Sequence, residues 1–183
     1  MAGIITKVGA KVSKFKAGDE VYARVGDHRI GTFAEQIAVQ ENDLALKPTN
    51  LSMEEAASIP LVGLTVWQAL VEIANLKKGQ KVFIQAGSGG VGTFAIQLAK
   101  HIGAYVATTT SSANTALVKK LGADLVIDYK TQDFATILKD YDVALKNYPM
   151  KKVSQIITSL RDVDVKSKGV GASMSLCLAQ RSR

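Results

Sequence analysis

Cysteine is almost missing: Cys177 is the single one in 183 residues. No disulfide framework and no cysteine-based zinc cluster can form within the chain, and a cytoplasmic setting fits. The two histidines, His28 and His101, have no companions at ligand spacing, so no metal site is expected. His101 is expected at the end of its helix, where a cation is favoured, and His28 in a surface turn. No apolar run approaches the roughly 20 residues of a membrane span. Met1 to Lys16 has lysines spaced through it and lacks the apolar stretch of a signal peptide. One further absence bears on function: residues 93–123 contain no Asp or Glu.

What is present is ordinary for a globular protein. The chain is 47% hydrophobic and 21% charged, enough for one good core or for one and a half small domains. The formal charge of +7 raises the question of a nucleic-acid partner. Residues 143–183 hold eight Lys/Arg and two Asp, a net +6, which leaves +1 for residues 1–142. The basic character belongs to the tail, and a solvated tail explains it better than a nucleic-acid surface does.

Residues 1–50 read as β structure. Ile4–Val8 and Glu20–Val25 alternate, and Phe33–Val39 is a third expected strand. Ser52 can cap a short helix, with Glu54 and Glu55 in its positive first turn and Pro60 ending it. Leu64–Ala74 has helical spacing and stops at Lys77-Lys78-Gly79.

From Lys81 the pattern changes. Strands are predicted over 81–86, 104–109, 124–128 and 141–145, with helices over 91–102, 113–121 and 131–139 between them. Continuous apolar strands separated by helices predict a doubly wound parallel sheet of the Rossmann type. Between the first strand and helix lies Gln85-Ala86-Gly87-Ser88-Gly89-Gly90-Val91-Gly92. Its G-x-G-x-x-G spacing assigns a tight turn to Gly87, a bare backbone against a pyrophosphate to Gly89, and close helix packing to Gly92. The following helix would aim free amides and its positive end at phosphates. Beyond it, Val153, Ile156, Ile157 and Leu160 suggest a helix near 150–161, and 166–171 reads as a loop.

Dinucleotide sites for the unphosphorylated coenzyme place an acid about 20 residues past the glycines. Here the second strand ends instead in Thr108-Thr109-Thr110-Ser111-Ser112. Hydroxyls can donate to a 2′-phosphate, so the sequence favours NADP(H). The same hydroxyls could merely cap the helix near Ala113, and Ser112 could do both.

Four stretches carry a resemblance: Gly18 to Tyr22, Ala56 to Trp67, Gln85 to Gly92 and Gly122 to Tyr129. They resemble the medium-chain dehydrogenase/reductase superfamily, and within it the zinc-independent quinone oxidoreductase-like branch. The likeness runs from about Gly3 to Val143; the family's opening residues have no counterpart, and the chain reads as truncated at both ends. The resemblance implies a partial GroES-like β-barrel over 1–60, an incomplete NADP-binding Rossmann domain over 61–145 and a divergent basic tail over 146–183. It implies hydride transfer from NADPH to quinones or α,β-unsaturated carbonyls, with Thr65 near the nicotinamide. Ser88, Gly89, Gly90 and Val91 would hold the pyrophosphate. Thr110, Ser111, Ser112 and Tyr129 would lie near the 2′-phosphate, with Asn114 where many relatives have a lysine. No residue stands out as the catalytic acid; Tyr22 is expected to pack in the barrel. Uncovered apolar edges point to partners, with a homodimer as one form. The alternatives are a non-catalytic nucleotide-binding remnant and an RNA-binding interaction module.

Overall fold

The computed structural model describes residues 1–26 and 31–145. His28, Cys177, the helix expected near 150–161 and the basic tail fall outside those residues. The chain divides into two compact units, Met1–Leu64 and Thr65–Arg183.

The first unit is a three-stranded antiparallel sheet in the order β1 (Ala2–Ile4), β2 (Glu20–Ala23), β3 (Leu44–Leu46). Val21 sits opposite Gly3 on one side and Leu46 on the other. Val21 and Ala23 point to the buried face; Ala56 and Pro60 are also buried in this unit. Side-chain pins secure the connections. The nearly buried Lys47 ammonium meets Glu20 at 3.1 Å and donates to the carbonyls of Pro48 at 3.1 Å and Leu51 at 2.6 Å. Glu41 Oε2 accepts the backbone amides of Ser13 and Lys14, each at 3.1 Å.

Two strand expectations need correction here. Phe33–Val39 forms no strand, and Phe33 is wholly exposed; alternation marks a segment fit for a sheet, but no described strand pairs with it. Leu44–Leu46 is the third strand instead, too short to show a period. β1 also starts earlier and ends sooner than the alternation of 4–8 suggests.

Helix α1 runs Met53–Trp67 and continues as a π-helical turn over Gln68–Ile73, closed by Ala74 N donating to Ala69 O at 3.0 Å. Its start is a capping box: the Glu55 amide donates to Ser52 Oγ (3.2 Å) and the Ser52 amide to Glu55 Oε2 (2.9 Å). Pro60 does not end the helix. It removes one i→i−4 bond, yet it is buried and the helix passes through it. Uninterrupted, Met53–Ile73 makes 21 helical residues of mean hydropathy 1.5, long and apolar enough to cross a membrane by length and composition. That corrects the expectation that no stretch reaches that length. The helix of a soluble protein's core meets the same measure.

The second unit holds the predicted parallel sheet. β4 (Lys81–Ile84), β5 (Tyr105–Thr110), β6 (Leu125–Asp128) and β7 (Val143–Leu145) lie in the order β6-β5-β4-β7, every pair parallel. Helices α2 (Gly90–Ile102), α3 (Thr115–Lys120) and α4 (Phe134–Ile137) connect them. Alternate residues of each strand feed separate cores. Val82, Ile84, Val106 and Val143 pack with Ala95, Ile96 and Ala99 of α2, Val118 of α3, and Val66 and Leu70. Phe83, Ala107 and Ile127 form the other cluster with Leu138, and the Phe83 and Phe134 rings stack at 5.4 Å. Gly103, at φ 91°, closes α2. The Lys100 ammonium bridges Asp124 at 2.9 Å, and Asp124 Oδ2 also accepts the Val106 amide at 2.7 Å.

The chain order makes β4 the switch point. It leads to β5 and β6 on one side, and the return after β6 crosses to β7 on the other. Open parallel sheets bind ligands beyond the carboxyl ends of the strands at this point.

Candidate functional site

The loop from β4 to α2 is built from steric necessity. A Cβ on Gly87 would stand 2.1 Å from Thr108 Oγ1, and one on Gly92 would stand 2.3 Å from Ala86 O and 2.7 Å from Gly87 Cα. Only hydrogen fits at either position. At Gly89 the nearest atom to a Cβ is Ala86 O at 3.3 Å, and the residue is exposed. It presents bare backbone to the outside, as its place in the motif suggests.

The left-handed residue of the turn is Ala86, at φ 58°, not Gly87. The spacing rule assigned the tight turn to the first glycine. Here that glycine is required by the neighbouring strand, and an alanine takes the turn. The Gly89 amide closes the turn onto Ala86 O at 3.0 Å.

The first helical bond of α2 runs from the Thr93 amide to Gly89 O at 2.8 Å. The amides of Gly90, Val91 and Gly92 therefore precede the ladder, at the positive end of a helix of 13 residues. No carboxylate occurs in the sequence from 93 to 123 to oppose an anion there.

The end of β5 supplies the hydroxyls, and the structure sorts them. Thr108 Oγ1 donates to Ile84 O at 2.6 Å, and Thr109 Oγ1 accepts the Ala86 amide at 3.0 Å. Both are engaged inside the fold. Thr110 Oγ1 donates to Ser88 Oγ at 3.0 Å. Asn114 Nδ2 donates to Ser88 Oγ at 3.3 Å and lies 3.5 Å from Ser111 Oγ. Ser88, Thr110, Ser111 and Asn114 thus form one polar group beside the loop. With two donors on its oxygen, Ser88 keeps its own proton to offer to an acceptor. Ser112 is exposed in a 3₁₀ turn over Ser112–Asn114. Neither that turn nor α3 receives a side-chain cap, so the capping role weighed for these hydroxyls is not the one they perform.

Tyr129 follows β6, its amide donating to Thr110 O at 3.3 Å, and the residue is 58% exposed. Thr65 lies apart from the loop in sequence, on α1, one residue before the buried Val66. Tyr22 is half-buried on β2, in register with Ala2 and Ala45. His101 ends α2 as expected. Among the described residues no three His, Cys, Asp or Glu side chains gather where a metal could sit. Sequence reasoning missed Ala86 and Thr109. The signal was available: three threonines running into a buried strand end need hydrogen-bond partners there.

Comparison with known proteins agrees with this geometry. Residues 90–161 match the family model described as zinc-binding dehydrogenase, which corrects the expectation that the likeness ends at Val143. Over 151 residues the chain is 42% identical to 2-methylene-furan-3-one reductase of Solanum lycopersicum, covering 78% of this chain and 39% of the relative. It is 42% identical, with the same two coverages, to the chloroplastic NADPH-dependent alkenal/one oxidoreductase of Arabidopsis thaliana. Among solved structures, Escherichia coli quinone oxidoreductase complexed with NADPH superposes with a TM-score of 0.69 at 34% identity, over 75% of this chain and 42% of that one. The chain therefore spans about two fifths of the length of these relatives. The resemblance drawn from the motifs, and the Rossmann-type sheet, are borne out.

Proposed function

We propose, starting from its place among the quinone and enone oxidoreductases of the medium-chain dehydrogenase/reductase superfamily, that this chain is the NADPH-binding portion of such a reductase. The observation that carries the reading is the Ser88 group beside the glycine loop. A free helix terminus, bare Gly89 and a serine with its proton to offer meet in one place, and residues 93–123 hold no carboxylate. These residues fit a dinucleotide phosphate: Ser88 and the Gly89–Val91 backbone take the pyrophosphate, and Ser111, Ser112, Asn114 and Tyr129 line the 2′-phosphate subsite, with the buried Thr110 supporting Ser88 through its hydrogen bond. Amides and hydroxyls donate to phosphate oxygens, and the helix dipole adds to the attraction.

Bound there, the reduced coenzyme supplies a hydride for a quinone or an α,β-unsaturated carbonyl. The chain's own part is to orient it: the loop holds the phosphates, and Thr65 stands near the nicotinamide. Residues 1–60 act as part of a GroES-like catalytic barrel, 61–145 as the coenzyme domain and 146–183 as a basic tail. The reading is zinc-independent and puts the protein in the cytoplasm, though relatives are named as chloroplastic and as mitochondrial; a homodimer is its assembly. The test is oxidation of NADPH with phenanthrenequinone as acceptor, followed by loss of NADPH absorbance. Turnover supports a reductase. Binding without turnover reduces the chain to a coenzyme-binding unit, and absence of both overturns the reading.

A further inference from the structure

Ala86 occupies a backbone region that a Cβ disfavours, and it does so in the middle of the loop that forms the site. Its φ is 58°, where an L-residue other than glycine meets its own carbonyl. Left to itself, such a loop would spend most of its time elsewhere. Thr109 opposes this through two bonds. Thr109 accepts the Ala86 amide on its side-chain oxygen at 3.0 Å and the Gly87 amide on its backbone oxygen at 2.9 Å. Two successive amides are thus clamped to the end of β5, and Thr109 is only 3% exposed, so water competes poorly for these bonds.

The orientation of Ala86 is transmitted to α2. Its carbonyl accepts the Gly89 amide at 3.0 Å and lies against Gly92, where a Cβ would come within 2.3 Å of it. Turning the Ala86 peptide moves this oxygen, releases Gly89 and displaces the backbone that starts the helix. Thr108 locks the neighbouring position by filling the space above Gly87. Thr109 alone holds the strained residue through its side chain.

We infer that Thr109 is a positioning residue, distinct from the groups that touch coenzyme, whose side chain keeps Ala86 left-handed and so holds the glycine loop in its binding shape before the ligand arrives. The inference rests on the NADPH reading of the loop. Apparent affinity falls in proportion to the fraction of protein in the competent conformation. Removing the side-chain acceptor therefore weakens binding without altering any group that contacts the ligand. Glycine at 86 has no Cβ to strain, so it makes the clamp unnecessary.

The experiment measures NADPH affinity by quenching of protein fluorescence for wild type, T109V, T109S, A86G and the double variant T109V/A86G, with circular dichroism to verify folding. T109V weakens NADPH binding about tenfold, the size expected for losing one hydrogen bond. T109S retains the oxygen and stays near wild type. T109V/A86G recovers to within about twofold of A86G alone. In wild type the Ala86 Cα and Cβ chemical shifts report the left-handed backbone, and in T109V they lose it. Where turnover is measurable, KM for NADPH rises in T109V while kcat at saturation stays put. The inference is overturned if T109V binds like wild type, or if A86G fails to rescue it, as a general loss of packing would give. Should T109V not fold, the comparison of A86G with T109S/A86G decides: any dependence of affinity on the residue at 109 once Ala86 is glycine contradicts the inference. A wild-type chain that binds no NADPH removes the coenzyme reading itself, which is a different outcome.

Discussion

The two units of this molecule solve the same problem with unequal means. In Thr65–Leu145, four parallel strands bury alternate residues on both faces, and helices α2 and α3 cover one side while Phe134 and Leu138 cover the other. In Met1–Leu64, strands of three and four residues bury Val21, Ala23 and Ala56, and leave Ile4, Phe33, Leu46, Leu61 and Leu64 exposed. Leu46 shares the face of buried Val21 and is still 62% exposed, so that face is only partly covered. The lesson is that a sheet with its own crossover helices makes a core from local sequence. An open antiparallel sheet of this size depends on pins such as Lys47, Glu41 and the capping box, and on whatever else covers its apolar side.

The largest effect tests the second unit at its tightest point. G92A places a Cβ 2.3 Å from one backbone atom and 2.7 Å from another, neither of which can swing away. It should destabilise the second unit by about 3 kcal/mol and abolish coenzyme binding, with the first unit's signals unchanged in a thermal melt followed by NMR. Next come paired core truncations. F83A removes a ring stacked on Phe134 and should cost about 3–5 kcal/mol, whereas V21A should cost about 2 kcal/mol or less. Native-state hydrogen exchange reads each unit by itself. F83A should speed exchange in β4 and β5 only, and V21A in β2 only; if both variants speed both sheets alike, the contrast between the units is false. A smaller effect belongs to S52A, which breaks one half of the capping box and should lower the stability of the start of α1 by about 1 kcal/mol, visible as faster exchange at Glu54 and Glu55.

The smallest effect is acid loosening of the first unit. The Lys14 amide, followed by that of Ser13, holds the Glu41 carboxyl below its ordinary value of 4.5, with burial opposing and the Lys14 charge adding the smallest part. A lowered folded-state pKa stabilises fully above the unfolded value and is lost as pH falls through the lowered one. Protection of the Ser13 and Lys14 amides should therefore hold above about pH 4.5 and fade below it. E41Q should remove that pH dependence.

Much of the second unit was legible because its signals are local. Apolar runs of strand length, Gly103 and Gly122 before strands, and a glycine loop between β4 and α2 each declare themselves within a few residues. Ser88, Thr110 and Asn114 could be named, and the structure joins them. Their partners could not be read, since whether Thr109 faces a ligand or the Ala86 amide depends on which side of the pleat it occupies. Pro60 misled because the rule for proline is local, while the burial that carries α1 through it is tertiary. Phe33–Val39 misled for the opposite reason: its alternation is genuine, but pairing needs a neighbour that no pattern within the segment supplies.

The central claim is that the glycine loop and the Ser88 group bind a phosphorylated nicotinamide dinucleotide. Isothermal calorimetry of the whole folded chain with NADPH and with NADH tests it most directly. The account predicts saturable heat with NADPH and weaker binding of NADH. Absence of heat with both coenzymes would contradict it, and a preference for NADH would contradict the role given to Ser111, Ser112 and Asn114.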